Sequence, residues 1–158
     1  MQISSAGRAW IKHSEGFSGV AYVDAGGMSI GYGHHIVPPE SFADGVTSAQ
    51  ADALLDQDIA IAESAVNRMV NVQLTQGQFD AMVDLTYNEG ASQIGASSLV
   101  RCLNTGDYTG ARKWFYWVES DGAQHGWIYA DGEISTGLVA RRKGDQVLWD
   151  GGNPLEGQ

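Results

Sequence analysis

The chain of 158 residues contains a single cysteine, Cys102, so it cannot form an intramolecular disulfide. A lone cysteine also argues against thiolate zinc sites and against the disulfide scaffolds of small secreted domains. No segment approaches the roughly 20 apolar residues of a membrane span, and residues 1–8 contain no apolar stretch of the kind found in signal peptides. We therefore expect a protein without metal or cofactor that is made in the cytoplasm and needs another agent for its release.

Basic residues are scarce: nine lysines and arginines stand against 19 aspartates and glutamates, which gives a net charge of −10. This charge opposes binding to nucleic acid or to an anionic membrane, so we expect neither partner. The 43% hydrophobic share is sufficient for one core, and the length favours a single domain over residues 1–158, which we expect to be a monomer. Six of the nine cations follow residue 100, which indicates a local basic patch or, as we favour, solvated helix faces: Arg101, Arg112, Lys113, Arg141, Arg142 and Lys143.

The first part of the chain combines one short helix with a small β region. Residues 4–15 place apolar side chains on one side and are followed by Gly16, which predicts a helix with Glu15 at its C-terminus. Glycines then alternate with β-branched and aromatic residues over residues 17–37, a pattern typical of a twisted hairpin or meander. We predict no other β region.

Beyond residue 46 the apolar period becomes helical. Capping-box sequences at residues 47–50 and 75–78 predict the starts of one long helix and of a second helix that ends at Gly90. Shorter helical patterns cover residues 96–105, 107–118 and 137–149. The predicted fold class is therefore α+β, with a small N-terminal antiparallel β lobe of about residues 16–46. A long helix would join it to a larger helical lobe of about residues 47–158 plus helix 4–15, with an active-site cleft between the lobes.

Glu15 and Asp24 lie at the two ends of the junction between the first helix and the hairpin. Paired carboxylates are what glycoside hydrolysis needs, because one donates a proton to the leaving oxygen while the other stays ionised. The partial negative charge at a helix C-terminus favours the protonated form of Glu15. The structural alternatives are a solvated acid at a helix end and, for Asp24, a turn residue that bonds its own backbone.

Three segments carry a resemblance to the phage lysozyme family: residues 15–17 (Glu-Gly-Phe), 21–24 (Ala-Tyr-Val-Asp) and 29–34 (Ser-Ile-Gly-Tyr-Gly-His). Residues 87–90 and 137–142 also resemble family segments. The resemblance implies that Glu15 is the general acid, that Asp24 is its carboxylate partner, and that Ser29 helps to position water. Ser29 departs from the family pattern, since it replaces the usual threonine and lies one residue closer to Asp24.

The same resemblance implies a lysozyme-like fold and a peptidoglycan hydrolase. The resemblance implies that such an enzyme cleaves the β-1,4 bond between N-acetylmuramic acid and N-acetylglucosamine by an inverting route and thereby lyses bacterial cells. Its partner would be the glycan strands of the cell wall, which it would reach after release from the host bacterium. The residues that the resemblance assigns to substrate binding are Gly31, Tyr32, Tyr87 and Asn88.

Structural roles are expected for three further residues. The resemblance implies an ion pair between His34 and Asp58 that acid pH should retain and alkaline pH should release. An adjacent pair of histidines on a strand points to opposite faces, so His34 and His35 are poorly placed to chelate a metal. Arg141, or its neighbour Arg142, either approaches Glu15 or is a surface cation. Trp117 is a further candidate for sugar stacking, although aromatic residues at helical spacing usually belong to a core.

Two other functions compete with this hypothesis. Residues 27–31 (Gly-Met-Ser-Ile-Gly) formally fit the nucleophile elbow of serine hydrolases, which requires a strand, a sharp turn and then a helix. The next predicted helix begins only near Thr47, which argues against an elbow. The other alternative is a non-catalytic peptidoglycan-binding or tail-associated module, because a fold does not guarantee activity.

Overall fold

A computed structural model describes residues 1–24 and 26–156. In chain order its elements are α1 (Ser5–Glu15), β1 (Ser18–Asp24), β2 (Gly27–Gly31), β3 (His34–His35), α2 (Ser48–Met69), α3 (Gln76–Glu89), α4 (Ala91–Gly95), α5 (Ser98–Asn104), α6 (Tyr108–Lys113), β4 (Tyr116–Val118), β5 (Gln124–Gly126), β6 (Tyr129–Ala130), β7 (Glu133–Ile134) and α7 (Thr136–Trp149). The predicted α+β class is confirmed.

The chain divides into two compact units. The sheet unit is Ile11–Ile61, and the helical unit comprises Met1–Trp10 together with the chain from Ala62 onward. Both boundaries fall inside helices, so α1 and α2 each contribute residues to both units. The predicted single domain and the cleft between lobes remain expectations.

The sheet unit is built on three antiparallel strands in the order β1-β2-β3. Gly31 ends the central strand with φ +69°, and a Cβ at this position would lie 3.0 Å from the Cβ of Ala51 in α2. This glycine therefore allows a close approach of strand and helix that a side chain would hinder. Helix α2 begins as its capping box predicts, with the Thr47 backbone N–H donating to Gln50 Oε1 and the Gln50 N–H donating to Thr47 Oγ1.

The helical unit has an apolar core supplied by α3, α5, α7 and the segments between them. Its capping box at Thr75 and Gln78 is present, and Gly90 ends α3 with φ +88°. Helix α7 packs on Trp10, because Gly144 leaves room for the indole ring. Fully buried core side chains include Phe79, Met82, Leu85, Leu99, Leu103, Phe115 and Ile128. In the described part of the chain, no helix has both the length and the apolar composition that a bilayer span requires.

The prediction of a single β region was wrong. The helix expected over residues 107–118 ends at Lys113, and four short strands, β4 to β7, follow before α7. The aromatic and β-branched run from Trp114 to Val118 favours a strand over a helix. Glycines with positive φ at 122 and 132 provide the turns of the two hairpins. The helix expected over residues 96–105 begins later, at Ser98, because the Ser97 hydroxyl caps it by accepting from the Val100 N–H.

Candidate active site

Glu15 and Asp24 occupy element ends in the sheet unit. Glu15 is the last residue of α1, and Gly16 follows with φ +68°, a conformation that ends the helix readily because glycine has no Cβ. Asp24 is the last residue of β1 and is exposed, whereas Glu15 is partly buried. The sequence therefore predicted correctly where both carboxylates lie in the local structure.

The register of the sheet places the predicted site residues Asp24 and Ser29 on one face, together with Tyr22. Tyr22 pairs with Ser29, and Asp24 pairs with Gly27. Because side chains alternate between faces along a strand and directly paired residues share a face, Tyr22, Asp24 and Ser29 point to the same side of the sheet. His35 pairs with Ser29 from the other neighbouring strand and joins this face.

Glu15 and Asp24 both affect the pKa of the Tyr22 phenol. Burial, followed by the negative charges of Asp24 and Glu15, raises the pKa of the Tyr22 phenol. Both carboxylates therefore contribute to the electrostatic environment of this phenol, and Asp24 shares the sheet face of Tyr22. This is the arrangement in which one carboxyl group can act as an acid while the other remains ionised.

Ser29 lies inside the central strand and is 2% exposed. A strand position between two hydrogen-bonded neighbours is incompatible with the strand–turn–helix elbow of a serine hydrolase, so that alternative is excluded. The short turn before Ser29 contains Gly26 and Gly27, and the turn residue Ala25 lies outside the described residues. A Cβ at Gly27 would lie 3.0 Å from His35 Cε1, so the histidine ring occupies the space that a side chain would need.

His34 forms the ion pair that was expected, and a second one. Its Nδ1 is 2.9 Å from Asp58 Oδ2, and its Nε2 is 3.3 Å from Glu40 Oε2. Burial lowers the pKa of His34, but the hydrogen bonds and charges of Asp58 and Glu40 outweigh burial and raise the pKa overall. Burial also raises the pKa of Asp58, despite the opposing effect of His34. The attraction between His34 and its acidic partners therefore shifts the pKa of the imidazole, whereas burial determines the direction of the shift at Asp58.

Gly31 and Tyr32 are both buried, at the end of β2 and just after it. The Tyr32 ring is 6% exposed, lies 5.4 Å from the Phe17 ring, and is covered by the Lys12 ammonium group at 4.9 Å. The structure thus gives these residues packing contacts within the sheet unit. Their predicted roles in substrate binding remain predictions.

Asn88 is held by an arginine in the helical unit. The Arg142 Nη2 donates to Asn88 Oδ1 over 2.9 Å, so the carbonyl oxygen of the amide is occupied and its NH₂ group is left as the donor end. Tyr87, beside it on α3, is partly buried. Trp117 stacks on His125 with ring centroids 4.8 Å apart, and Lys113 lies over its ring. The sugar-binding roles of these residues also remain predictions.

Arg141 and Arg142 are not surface cations, which corrects the favoured interpretation of solvated helix faces at these two positions. Their side chains are 8% and 0% exposed. Arg141 binds Asp84 with two nitrogens, Nε at 2.9 Å from Oδ2 and Nη2 at 2.8 Å from Oδ1. Arg142 reaches Asp84 at 3.4 Å and Asp145 at 3.0 Å. The two buried arginines are tolerated because Asp84 contacts both of them and the carboxyl groups of Asp145 and Glu89 lie close to Arg142.

The pKa values of the two buried aspartates, Asp84 and Asp145, are shifted in opposite directions. Although burial raises it, the charges of Arg141 and Arg142 bring the pKa of Asp84 below its usual value. Burial and the charge of Asp84 raise the pKa of Asp145 well above its usual value. The arginines therefore favour the ionised form of Asp84, whereas burial and the charge of Asp84 disfavour the ionised form of Asp145, which accepts a hydrogen bond from the Trp10 indole at 2.9 Å.

Several residues of these sites were not predicted from the sequence: Tyr22, His35, Glu40, Asp84 and Asp145. The sequence did contain a signal for Tyr22, because it lies two residues before Asp24 on the predicted strand, and side chains two residues apart on a strand share a face. Asp84 and Asn88 are four residues apart on one helix, a spacing that places both on the side that meets Arg142. In the described residues, no group of three or more histidine, cysteine, aspartate or glutamate side chains is placed to hold a metal ion.

Together, the small antiparallel sheet with its two carboxylates and the helical unit define a lysozyme-like α+β protein. Among solved structures, the muramidase domain of SpmX from Asticaccaulis excentricus is similar, with a TM-score of 0.76 and 34% identity, covering 94% of this chain and 97% of that one. The endolysin of Acyrthosiphon pisum secondary endosymbiont phage 1 is 35% identical over 153 residues, which cover 95% of this chain and 99% of that protein. The endolysin of Bacillus phage PZA is 35% identical over 159 residues, and the chain spans 57% of its length.

Residues 12–145 match the phage lysozyme family, and the chain belongs to that family. The resemblance in the sequence is thereby confirmed. Family membership defines the coarse activity, that of a glycoside hydrolase acting on peptidoglycan.

Proposed function

We propose that this protein is a muramidase that cleaves the β-1,4 bond between N-acetylmuramic acid and N-acetylglucosamine. The observation that carries the proposal is the placement of two carboxylates at neighbouring element ends of the sheet unit: Glu15 ends α1, and Asp24 ends β1 on the sheet face of Tyr22 and Ser29. The effect of both carboxylates on the pKa of Tyr22 agrees with this placement. The muramidase domain that the chain resembles supports the choice of bond.

In this mechanism Glu15 protonates the glycosidic oxygen as the bond breaks. Its position at the C-terminus of α1 suits the task, since the helix dipole favours the neutral carboxylic acid there. Asp24, exposed at the end of β1, activates a water molecule that attacks the anomeric carbon from the opposite side. The leaving sugar takes the proton of Glu15, and the water proton passes to Asp24, so the anomeric centre is inverted.

Ser29 shares the face of Asp24 and would orient that water. The protein is expected to act as a monomer on the cell wall after it leaves the cytoplasm of the host, and so to lyse the bacterium. Nothing in this mechanism needs a cofactor, since general acid–base chemistry is supplied by the two carboxyl groups.

The alternative is a module that binds peptidoglycan without cutting it. Two features of Ser29 support this alternative: it is only 2% exposed, and it lies one residue closer to Asp24 than in the family pattern. A hydroxyl that cannot reach the water would leave the fold intact and weaken turnover.

Analysis of the products separates these possibilities. Purified peptidoglycan is digested, the new reducing ends are reduced with borohydride, and the amino sugar alcohols are identified by mass spectrometry. New muramitol ends are expected. In a separate digest that is not reduced, the first-formed anomer in proton NMR should be the inverted one. New glucosaminitol ends would contradict the choice of bond, and wall binding without new ends would favour the binding module.

A further inference from the structure

The helical unit contains a cavity of about 560 Å³. Its walls come from the end of α3, from α4 to α6 and from the chain around β5 and β6. Glu89 and Gln93 line it together with the rings of Trp114, Trp127 and Tyr129. None of these residues was given a function by the sequence. The strands that supply part of the wall are also those that the sequence failed to predict.

Glu89 is the one charged side chain among the described residues that line this cavity. It is 19% exposed, and its Oε1 lies 3.7 Å from Arg142 Nη1, which is too far for a hydrogen bond. Within the described part of the chain, no hydrogen bond to its carboxylate is formed. Burial raises the pKa of Glu89 more than the charges of Arg142 and Arg141 lower it. Because no hydrogen bond from the described residues occupies its oxygens, the Glu89 carboxyl group keeps acceptor capacity for a ligand, and a cation placed beside it would favour its ionised form.

Glu89 is one of three carboxyl groups near Arg142 among the described residues. Asp145 lies at 3.0 Å and Asp84 at 3.4 Å, both closer than Glu89. A ligand that draws Glu89 into the cavity would leave Arg142 its closer contacts with Asp145 and Asp84.

The aromatic rings indicate which chemistry the cavity accepts. Trp114 is 36% exposed and Tyr129 is 48% exposed, so both rings present surface to a ligand. Aromatic faces attract cations, and a carboxylate beside them adds a charge-assisted hydrogen bond. The net charge of −10 supports attraction of a cation over long range. An organic ammonium group satisfies all of these features.

We propose that this cavity binds the free side-chain amino group of a peptidoglycan stem peptide, with Glu89 as the acceptor. The choice of this ligand rests on the proposed function, because a cell-wall substrate contains such amines. Glycan strands of alternating N-acetylated sugars carry no cation, whereas the diamino acid of an uncross-linked stem peptide does. The cavity thereby directs the enzyme to glycan that bears uncross-linked peptides.

Binding is tested with a peptide that contains no sugar, so that the result does not depend on cleavage. The probe is the tetrapeptide L-alanyl-γ-D-glutamyl-L-lysyl-D-alanine with its N-terminal amine acetylated, so that the lysine side chain is its one free amine. It is titrated into the full chain while the tryptophan fluorescence is followed, to which Trp114 and Trp127 of the cavity wall contribute. Its Nε-acetylated form is the matched ligand control. We expect the acetylated peptide to bind at least about tenfold more weakly, the change that corresponds to roughly 1.4 kcal/mol.

Three variants assign the effect to the cavity. Glu89→Gln should bind both peptides with the weak affinity of the acetylated one, and Tyr129→Ala, at an exposed position, should also weaken binding of the free amine. Glu133→Gln, an exposed glutamate outside the cavity wall, should leave both affinities unchanged. Thermal unfolding of each variant checks that the fold is retained.

Equal affinities for the two peptides, or unchanged selectivity in Glu89→Gln, would overturn the proposal, as would no binding of the free amine up to about 1 mM. If Glu89→Gln does not fold, the result for Tyr129→Ala decides: unchanged amine affinity would overturn the proposal. Amine-selective binding by a protein that cuts no glycan would contradict the proposed muramidase activity and support the amine site. Glycan cleavage without amine selectivity would support the muramidase activity and contradict the amine site.

Discussion

At the scale of single residues, His34 joins three segments of the sheet unit. It lies on β3, Glu40 belongs to the loop that precedes α2, and Asp58 belongs to α2 itself. The imidazole is buried, and the two acids are partly exposed. Protonation of one ring therefore strengthens contacts to two neighbouring segments at once.

We predict that Asp58→Asn destabilises the protein more in mild acid than in alkali. The pKa of His34 is raised in the folded state, so its contribution to stability is complete below the unfolded pKa and is lost as pH rises through the folded one. The loss of unfolding free energy should be about 1–2 kcal/mol larger at about pH 6 than at about pH 9. Urea unfolding at the two pH values measures it.

Asp44→Asn is the control, at an exposed position in the segment that precedes α2, and its effect should differ little between the two pH values. Equal losses for Asp58→Asn in acid and alkali would contradict a charged pair. They would indicate that Asp58 acts only as a neutral hydrogen-bond partner of the imidazole.

Local spacing explains which site residues could be predicted. Glu15, Asp24 and Ser29 lie within 15 positions of each other in one helix–hairpin junction, so their neighbourhood follows from local rules. The link between Asp84 and Arg142 spans 58 positions and depends on how α3 meets α7. No local pattern contains that information, and the buried arginines were accordingly mistaken for surface residues.

At the scale of elements, the packing of α7 on Trp10 depends on one glycine. A Cβ at Gly144 would overlap the indole ring, and Trp10 is 5% exposed and fixed by its hydrogen bond to Asp145. Alanine would improve helix propensity by at most about 1 kcal/mol. Overpacking against a fixed ring costs about 1–3 kcal/mol and should dominate.

Gly144→Ala should therefore lower the free energy of unfolding by about 1–2 kcal/mol, measured by chemical denaturation. Gly137→Ala in the same helix is the control, because a Cβ there meets only the Ser135 hydroxyl oxygen, at 3.7 Å. That variant should be as stable as the parent or up to about 1 kcal/mol more stable. Stabilisation by both substitutions would show that α7 can move away from Trp10.

The long elements were predicted from sequence and the short ones were not. Helix α2 has 22 residues and an N-terminal capping box, so both its period and its start are visible in the sequence. Strands β4 to β7 have only two or three residues each, too few to show an alternation of period two. Turn glycines and aromatic residues were the only local indications of these hairpins.

At the scale of the whole molecule, the predicted substrate-binding residues are divided between two compact units. The carboxylates, Ser29, Gly31 and Tyr32 belong to the sheet unit, whereas Tyr87, Asn88 and the Glu89 cavity belong to the helical unit. The family fold was predictable because its motifs recur in order along the chain. How residues of one unit act with those of the other is not encoded in any single motif.

The central claim is that Glu15 is the general acid of a peptidoglycan glycosidase. The most direct measurement compares the parent protein with Glu15→Gln in the release of reducing sugar from purified peptidoglycan. Glutamine keeps the size of the side chain but cannot donate the proton, so we predict a loss of at least about 100-fold in rate with unchanged thermal unfolding. A folded Glu15→Gln variant that retains most of the parent's activity would contradict the account.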